Sequence, residues 1–226
     1  MSQVKESWDN LYGYLLNKDQ PGSIIDKYDR YAVHYDKDLG NLGYGLPAEV
    51  AGIVANNVKG MNDLKILDVG VGTGLLGANL KKLGVDCVID GIDGSQGMLD
   101  VAAKLGEVYA TLKRHMLTID NPLPFPDVYY NVSMSSGCFS PQHIESEMVE
   151  DMIRVVKKGG LVIVTSRDDV EFAAYRDEME GRLKKLVEDD VVKMIETAKP
   201  DFFAFNYYRD DPSTPSSGKC WVMKKL

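Results

Sequence analysis

The stretch ILDVGVGTG at residues 66–74 decides the fold. Its first four residues predict a buried strand, and the glycines at 70, 72 and 74 allow a tight turn where a ligand can approach bare backbone. We expect a helix from Leu75, whose free N-terminal amide groups would point at that ligand. A dinucleotide fingerprint has glycine at the position of Leu75 and usually an apolar residue in place of Asp68. The spacing therefore favours a nucleoside that carries an amino acid over a pyrophosphate.

A second acidic residue follows one helix and one strand later. In VIDGIDGSQGML, residues 88–99, Asp93 stands at the end of the second predicted strand. A carboxylate has two acceptor oxygens, and the vicinal hydroxyls of a ribose offer two donors. Glycine-rich turns and Asp-Gly pairs are also common in ordinary turns, so either stretch alone is a weak indication. Together they predict a nucleoside pocket.

The two stretches resemble motif I and the second-strand acidic residue of the class I S-adenosylmethionine-dependent methyltransferases. A closer resemblance, to the Williams-Beuren syndrome critical-region methyltransferase-like branch, is carried by four further segments: YDRYAVHYDKDLGNLGYGLPAEVA (28–51), PLPFPD (122–127), SSGCFSPQHI (135–144) and IRVVKKGG (153–160). The resemblance implies an α/β fold with a Rossmann-like, seven-stranded methyltransferase sheet. That sheet is expected to be mostly parallel, with an antiparallel C-terminal strand pair and helices on both faces.

The same resemblance implies S-adenosylmethionine as cofactor and S-adenosylhomocysteine as product, with the glycine loop beside the methionine part. The cofactor-binding residues it implies are Tyr28, Tyr35, Asp68, Gly70, Gly72, Thr73, Gly74, Leu75, Asp93, Gly94, Ser95, Met98, Met116, Leu117 and Ser135. Met116 departs from the family, because many relatives have an acidic residue there that accepts from the adenine amino group. A thioether packs softly on a ring, so we expect mostly apolar adenine recognition. Asn131 replaces a usual aspartate, which we interpret as a strand-capping difference.

The order of predicted elements indicates one globular methyltransferase domain at residues 46–226, preceded by a helical lid or cap segment at residues 1–45. Strands at 65–69, 87–92, 128–134 and 161–165, with a weak one at 108–112, alternate with helices at 48–58, 75–83, 98–105 and 145–156. Gly159 and Gly160 should end the last helix. A stripe of apolar residues then predicts a helix packed on the core: Phe172, Tyr175, Met179, Leu183 and Leu186. Residues 202–208 and 219–225 predict two antiparallel strands joined by the loop DDPSTPSSG.

Composition narrows the function further. At 226 residues the chain fits one domain, and its formal charge of −8 disfavours broad contact with nucleic-acid phosphates. Three cysteines without paired metal spacing predict neither a disulfide framework nor a metal site. The N-terminus is polar and no run of about twenty apolar residues occurs. We therefore expect a monomeric, cytoplasmic protein, with no membrane segment, that acts on a small molecule, while a protein substrate stays open.

Methyl transfer from a sulfonium needs alignment in a dry site more than it needs a general base. If a base is used, His143 is the best candidate, since an imidazole accepts a proton near neutral pH. Its alternative role is to cap a helix at Ile144. Cys138 lacks a motif partner for nucleophilic catalysis, and His34 and His115 are weaker candidates than His143.

The segment at residues 24–45 mixes four tyrosines with four aspartates, a composition too polar for a core helix and too aromatic for a plain tail. We interpret it as a lid over the strand ends, with a helix packed permanently on the sheet as the alternative. Tyr28 and Tyr35 would line the pocket, although an aromatic stripe also suits a core.

Two other functions compete with a small-molecule methyltransferase. One is a non-catalytic module or partner subunit that only binds the cofactor. The other, a nicotinamide-dependent oxidoreductase, is opposed by Leu75 and Asp68.

Overall fold

The computed structural model describes residues 2–16, 21–204 and 215–226. The α-helices are α1 (Ser2–Leu11), α2 (Ile24–Asn41), α3 (Leu46–Asn57), α4 (Leu75–Lys82), α5 (Gln96–Ala102), α6 (Met148–Val155) and α7 (Ala173–Glu188). A π-helical turn follows α1 at Tyr12–Leu16, and 3-10 turns lie at Ala103–Leu105 and Val170–Phe172. The strands are β1 (Leu64–Val69), β2 (Cys87–Asp93), β3 (Thr111–Arg114), β4 (Tyr130–Ser135), β5 (Val156–Arg167), β6 (Val192–Ala198), β7 (Asp201–Phe203) and β8 (Ser216–Lys225).

The sheet has the order β3-β2-β1-β4-β5-β8-β6, with β7 paired to β8. Strands β1 to β5 are parallel to one another, whereas β8 is antiparallel to β5, β6 and β7. This confirms the predicted methyltransferase sheet with antiparallel C-terminal strands. The strand order reverses direction between β1 and β4, and ligands of open α/β sheets bind beyond the carboxyl ends of strands at such a point.

Two apolar clusters cover the two faces of the sheet, because successive strand side chains point to opposite sides. Ile66 joins the cluster formed with α1 to α4, and Leu67 joins the cluster formed with α6 and α7. Met179 and Leu183 of α7 are buried in the second cluster. The predicted stripe after residue 166 is therefore core packing, and helices on both faces are confirmed.

The predicted start of β5 was wrong. Helix α6 ends at Val155, one residue before the predicted end, and β5 begins at Val156 rather than at residue 161. The strand runs through Gly159 and Gly160, which were expected to end the helix. Val156 already has extended dihedral angles and pairs with Tyr130, after which the register shifts to accommodate extra residues. A side chain on Gly160 would meet the backbone oxygen of Asn131. The glycines thus form a strand irregularity, not a helix stop.

The edges of the sheet were predicted least well. The weak strand lies at Thr111–Arg114 instead of residues 108–112. Strand β6 was missed, because most of its side chains are exposed at an edge and leave no apolar run to detect. Strand β7 ends at Phe203, and β8 begins at Ser216, inside the predicted loop. The rest of that strand and loop, residues 205–214, lies outside the described residues.

Candidate active site

The glycine loop follows β1 at the carboxyl end of the sheet. Gly70, Gly72 and Gly74 all have positive φ, at 77°, 55° and 89°. A side chain at Gly70 would collide with Cys138, and one at Gly74 would collide with Leu105. Gly74 is the N-cap of α4, so the first amides of that helix face the loop. Glycine is therefore required here both by backbone conformation and by close packing.

Asp93 closes the other side of this loop. One of its carboxylate oxygens accepts from the backbone N–H of Gly72 and the other from that of Ser95, each at 2.8 Å. Burial raises the pKa of Asp93, and the two backbone donors oppose that rise. Asp93 lines the cleft, and because each carboxylate oxygen has two lone pairs the group can accept further hydrogen bonds, such as those of two neighbouring hydroxyl groups.

Asp68 ends up buried beneath the loop. Burial is the main reason that its pKa rises to about 7, although the Tyr109 hydroxyl donates to it at 2.8 Å and opposes the rise. The charge on Asp93 adds to the rise. Tyr109 also accepts from the backbone N–H of Gly77. Sequence reasoning missed Tyr109, since it stands in an irregular stretch without a motif. The result is an acid that a nearby cation would help to ionise.

These groups border a single cleft with an empty volume of about 1000 Å³, including the part open to solvent. Thirteen residues from the sequence prediction line it: Tyr28, Tyr35, Asp68, Gly70, Gly72, Thr73, Leu75, Asp93, Gly94, Met98, Met116, Leu117 and His143. Sequence reasoning did not assign several other lining residues to the cofactor, among them Ile24, Ile25, Tyr44, Pro47, Ser136 and Ile144. Tyr44, Pro47, Ser136 and Ile144 stand in segments that carry the family resemblance, but only the folding of these distant segments shows which of their side chains line the cleft.

Three residues that we predicted to bind the cofactor do not line the cleft. Gly74 serves as the cap of α4. The Ser95 hydroxyl accepts from Met98 N at 3.1 Å and donates to Asp29 at 2.6 Å. Its hydrogen bonds are therefore made to α5 and α2. Ser135 is fully buried inside the sheet, and its neighbour Ser136 reaches the cleft instead.

The two departures from the family pattern lie where the sequence suggested. Met116 is 39% exposed and lines the cleft beside the buried Leu117, which gives this end an apolar wall. Asn121 donates its side-chain amide to the Met116 carbonyl at 2.6 Å and so fixes the backbone there. Asn131 accepts from the backbone N–H of Lys65 at 3.0 Å, at the start of β1. That contact supports a strand-capping role for Asn131.

Helix α2 lies along the open side of the cleft. Its tyrosines divide by function: Tyr31 is buried in the core and donates to Asp38, whereas Tyr28 and Tyr35 line the cleft. Tyr44 follows the helix and lines the same end. Tyr28 and Tyr35 therefore line the cleft and also pack against the core cluster, whereas Tyr31 is wholly buried in it.

Two aspartates of α2 dock it on the cofactor loops. Asp29 accepts from Ser95 Oγ and, at 2.8 Å, from the backbone N–H of Gly97, while Asp36 accepts from Thr73 Oγ1 at 2.5 Å. A side chain on Gly97 would lie 2.7 Å from the backbone oxygen of Asp29, so glycine permits the close crossing. Sequence reasoning missed this role. The spacing of seven residues, two helical turns, places both aspartates on one face and could have suggested it.

His143 is not a helix cap, because α6 begins only at Met148. Its Nε2 lies 2.9 Å from the Tyr28 hydroxyl, and its Nδ1 lies 3.0 Å from the Pro141 carbonyl and 3.1 Å from Ser140 Oγ. Burial lowers the pKa of His143 and so favours the neutral ring. The capping alternative is wrong, and the imidazole belongs to the cleft wall.

The weaker candidates contribute less. Burial raises the pKa of Cys138 to about 12, and its thiol donates to the Gly70 carbonyl, so it stays protonated at neutral pH. His34 does not line the cleft, whereas His115 does. Within residues 2–16, 21–204 and 215–226 no cluster of metal-ligating side chains occurs. The helices in those ranges include none that is both long and apolar enough to cross a bilayer.

Comparisons with known proteins agree with this geometry. A family model described as a methyltransferase domain matches residues 66–160. Human methyltransferase-like protein 27 is 32% identical over 160 residues, and the demethylmenaquinone methyltransferase of Renibacterium salmoninarum is 27% identical over 164. Each alignment covers 70% of this chain and 64% of the relative, so the chain spans less than two thirds of their length.

Among solved structures, a Haloferax volcanii protein in complex with the Trm112 methyltransferase activator superimposes with a TM-score of 0.61. It is 16% identical, and the match covers 90% of this chain and 97% of that one. At this identity the likeness shows the fold alone. The family model and the sequence relatives identify a methyltransferase domain in this chain, and its fold is that of the class I S-adenosylmethionine-dependent methyltransferases.

Proposed function

We propose that this chain binds S-adenosylmethionine in the cleft and transfers its methyl group to a small organic acceptor. The observation that carries the proposal is Asp93, which is held by the backbone N–H groups of Gly72 and Ser95 and lines the cleft. Vicinal ribose hydroxyls are the donors that such a carboxylate suits. The Renibacterium salmoninarum relative is named for demethylmenaquinone, an organic molecule and not a macromolecule.

Each side of the cleft has a distinct task in this proposal. When bound, S-adenosylmethionine supplies an electrophilic methyl group on a positively charged sulfur. The glycine loop and Asp68 border the methionine part, and Asp93 holds the ribose. Met98, Met116 and Leu117 pack on the adenine. The tyrosines of α2 exclude water and leave a limited space for the acceptor.

Calorimetry tests the cofactor assignment directly. S-adenosylmethionine and S-adenosylhomocysteine should bind and raise the melting temperature, since a ligand that prefers the native state stabilises it. Nicotinamide dinucleotides serve as the matched negative ligands. Binding of a dinucleotide without binding of either adenosyl compound would refute the assignment.

The competing role is a module or partner subunit that binds the cofactor without catalysis. The Haloferax volcanii structure gives it some support, because that protein was solved with an activator. Incubation with radiolabelled S-adenosylmethionine and fractions of small metabolites separates the two roles. A labelled small molecule supports the enzyme, label only on protein favours a protein substrate, and no labelled product in the presence of measured cofactor binding favours the non-catalytic module.

We further propose that residues 1–45 form a cap whose α2 segment opens and closes as a lid over the domain at residues 46–226. Support comes from the way α2 is attached, through the side chains of Tyr28, Asp29 and Asp36 on the rim of the cleft. Adding S-adenosylhomocysteine should slow amide hydrogen exchange at residues 24–45, while β1, β4 and β5 change little. Equal exchange with and without ligand would leave α2 as a fixed wall.

The proposal also covers the oligomeric state and the cellular location of the protein. The formal charge of −8 and three free cysteines support a monomer in the reducing cytoplasm without a nucleic-acid partner. Light scattering at several protein concentrations and cell fractionation check these two points. A stable dimer, or recovery with membranes, would contradict them.

A further inference from the structure

Tyr28 and His143 meet in the wall of the cleft. Tyr28 comes from α2, and His143 comes from the irregular segment before α6, 115 residues later in the chain. Their hydroxyl oxygen and Nε2 are 2.9 Å apart, with the rings in an edge-to-face arrangement. Both side chains line the cleft. The fold thus places a hydrogen-bonded pair of proton-transferring groups in the wall of the cleft.

The direction of this hydrogen bond follows from the other side of the imidazole. Nδ1 of His143 lies 3.0 Å from the Pro141 carbonyl oxygen, which can only accept, and 3.1 Å from Ser140 Oγ, which can donate or accept. Hydrogen on Nδ1 satisfies both contacts, whereas a bare Nδ1 would face the carbonyl oxygen without a donor between them. Burial lowers the pKa of His143, and the ring is neutral. In a neutral ring with hydrogen on Nδ1, Nε2 is an acceptor. The Tyr28 hydroxyl therefore donates to His143.

This arrangement leaves no nitrogen of His143 free for an acceptor molecule. The Tyr28 oxygen, in contrast, uses its hydrogen toward Nε2 and keeps its lone pairs for a second donor. Burial raises the pKa of Tyr28, so the phenol is protonated at rest. Tyr28 is the group that can touch the acceptor, and His143 can receive a proton only through it.

The surrounding wall restricts what that acceptor is. Tyr35, Tyr44, Pro47 and Ile144 give an aromatic and apolar lining. No lysine or arginine is among the described residues that border the cleft, and its carboxylates, Asp68 and Asp93, lie at the glycine loop. The described lining therefore offers an anionic acceptor no basic side chain to replace its hydration, and the positive charge available to it is the sulfonium of the bound cofactor. A flat, neutral molecule fits this lining better.

We propose that the acceptor is an uncharged aromatic alcohol and that Tyr28 and His143 form the relay that removes its proton. The inference rests on the proposed function. The acceptor oxygen gains the methyl group, the broken carbon–sulfur bond leaves its electron pair on sulfur, and the sulfonium becomes a neutral thioether. The hydroxyl proton of the acceptor passes to the Tyr28 oxygen as the Tyr28 proton passes to Nε2. His143 ends as an imidazolium, which solvent neutralises after product release.

Proton affinity explains the choice of an aromatic alcohol. A phenol has a pKa near 10, so an imidazole can accept its proton as methyl transfer proceeds. An aliphatic alcohol holds its proton too tightly for this base. Tyr28 is the catalytic residue in this scheme, and His143 is a positioning residue that also stores the proton.

The first test needs no turnover. Nitrogen-15 NMR of the full chain with S-adenosylhomocysteine should show His143 neutral at pH 7.5 with hydrogen on Nδ1. The Tyr28→Phe variant should shift the Nε2 resonance, because its hydrogen bond is lost. Tyr129→Phe, a change at a residue outside the cleft lining, is the matched control and should leave it unchanged. Hydrogen on Nε2 in the wild type would reverse the bond and overturn the relay.

The second test uses 2-naphthol as the acceptor probe. In the presence of S-adenosylhomocysteine it should bind at least tenfold more tightly than 6-hydroxy-2-naphthoate or 2-naphthylmethylamine, which share its rings but carry a charge. With S-adenosylmethionine, Tyr28→Phe and His143→Gln should lower kcat for 2-naphthol by roughly 10²- to 10⁴-fold. The KM should change much less, and Tyr129→Phe should behave as wild type.

An acceptor that is already ionised distinguishes a role of Tyr28 and His143 in proton transfer from a purely structural role. With 4-nitrophenol at a pH where it is ionised, the two variants should lose less than tenfold in kcat, because no proton has to leave. Equal losses with both phenols would make Tyr28 and His143 structural and overturn the relay. Failure of the wild type to bind or methylate 2-naphthol would overturn the acceptor class, while calorimetry with S-adenosylhomocysteine shows independently whether the proposed function stands.

Discussion

The two sides of the cleft are held in different ways. The nucleoside side, made of the glycine loop and Asp93, is fixed by backbone: Asp93 accepts two main-chain N–H groups, and the loop glycines have positive φ. The cover is made of α2 and Tyr44. Helix α2 is attached to the rim by side chains, such as Asp36 to Thr73 and Tyr28 to His143, whereas Tyr44 also forms a backbone bridge with Phe203. Backbone contacts persist as long as β1 and β2 persist. Side-chain contacts can each be removed by one substitution, so the cover can change without the sheet.

The largest expected effect concerns charge buried on the nucleoside side. The pKa of Asp68 is about 7 in the folded chain against an ordinary value of 3.8, so the folded state binds more protons between those values. The free energy of unfolding should therefore fall as pH rises from about 4 to about 7, by on the order of 4 kcal/mol from this group, and level off above that. Denaturant unfolding across this range without ligand measures it.

Asp68→Asn should remove most of that fall and make the chain more stable than wild type at pH 8 but not at pH 4. The amide keeps an oxygen that can accept from Tyr109. Asp86→Asn, at an exposed position, is the control and should follow the wild type. If the free energy of unfolding changed with pH equally in all three proteins, Asp68 would be ionised throughout the range. Ionisation of Asp68 would then not destabilise the folded state.

Loss of the ribose receptor should come next. Asp93→Ala should weaken S-adenosylhomocysteine binding by about 1.5–3 kcal/mol, roughly ten- to a hundredfold, because hydrogen bonds to a charged acceptor are lost. Calorimetry measures the affinity, and circular dichroism checks the fold. An affinity within twofold of wild type would reduce Asp93 to a turn residue and remove the basis of the comparison.

The cover should respond to Gly97→Ala with little change on the nucleoside side. The new methyl group would lie 2.7 Å from the Asp29 backbone oxygen, and a backbone clash cannot be relieved by rotating a side chain. Overpacking costs about 1–3 kcal/mol, so amide exchange in α2 should accelerate about tenfold while cofactor affinity falls less than in Asp93→Ala. Gly40→Ala, in α2 with open space around it, is the control. Unchanged exchange in both variants would show that α2 is not held at this crossing.

The smallest effect should come from the adenine end. Met116 is 39% exposed, so Met116→Ala removes only part of an apolar contact and should cost about 1 kcal/mol or less. Calorimetry with S-adenosylhomocysteine beside Asp93→Ala checks the ranking. If Met116→Ala cost more than Asp93→Ala, the nucleoside side would depend on side-chain packing in the way that the cover does.

The sequence by itself determined the nucleoside side and the central sheet. Buried strands leave continuous apolar runs, and positive φ at Gly70, Gly72 and Gly74 selects glycine. Both features depend on residues that are close in the sequence, so the sequence alone reveals them. Asp93 could be placed because a fixed number of elements separates it from the loop. The edge strand β6 left no such run, and the glycines in β5 were mistaken for a helix stop because only pairing with β4 shows that they form an irregularity.

Only the tertiary structure decided the cover and the proton chemistry. Tyr28 and His143 are 115 residues apart, and neither the direction of their hydrogen bond nor the burial that keeps His143 neutral is visible in a one-dimensional pattern. Ser95 illustrates the same limit, because Asp29 from α2 takes the hydroxyl that the family pattern assigns to the cofactor. Hydrogen-bond partners and pKa values depend on what surrounds a group in space, whereas turns and strands depend mainly on neighbours along the chain.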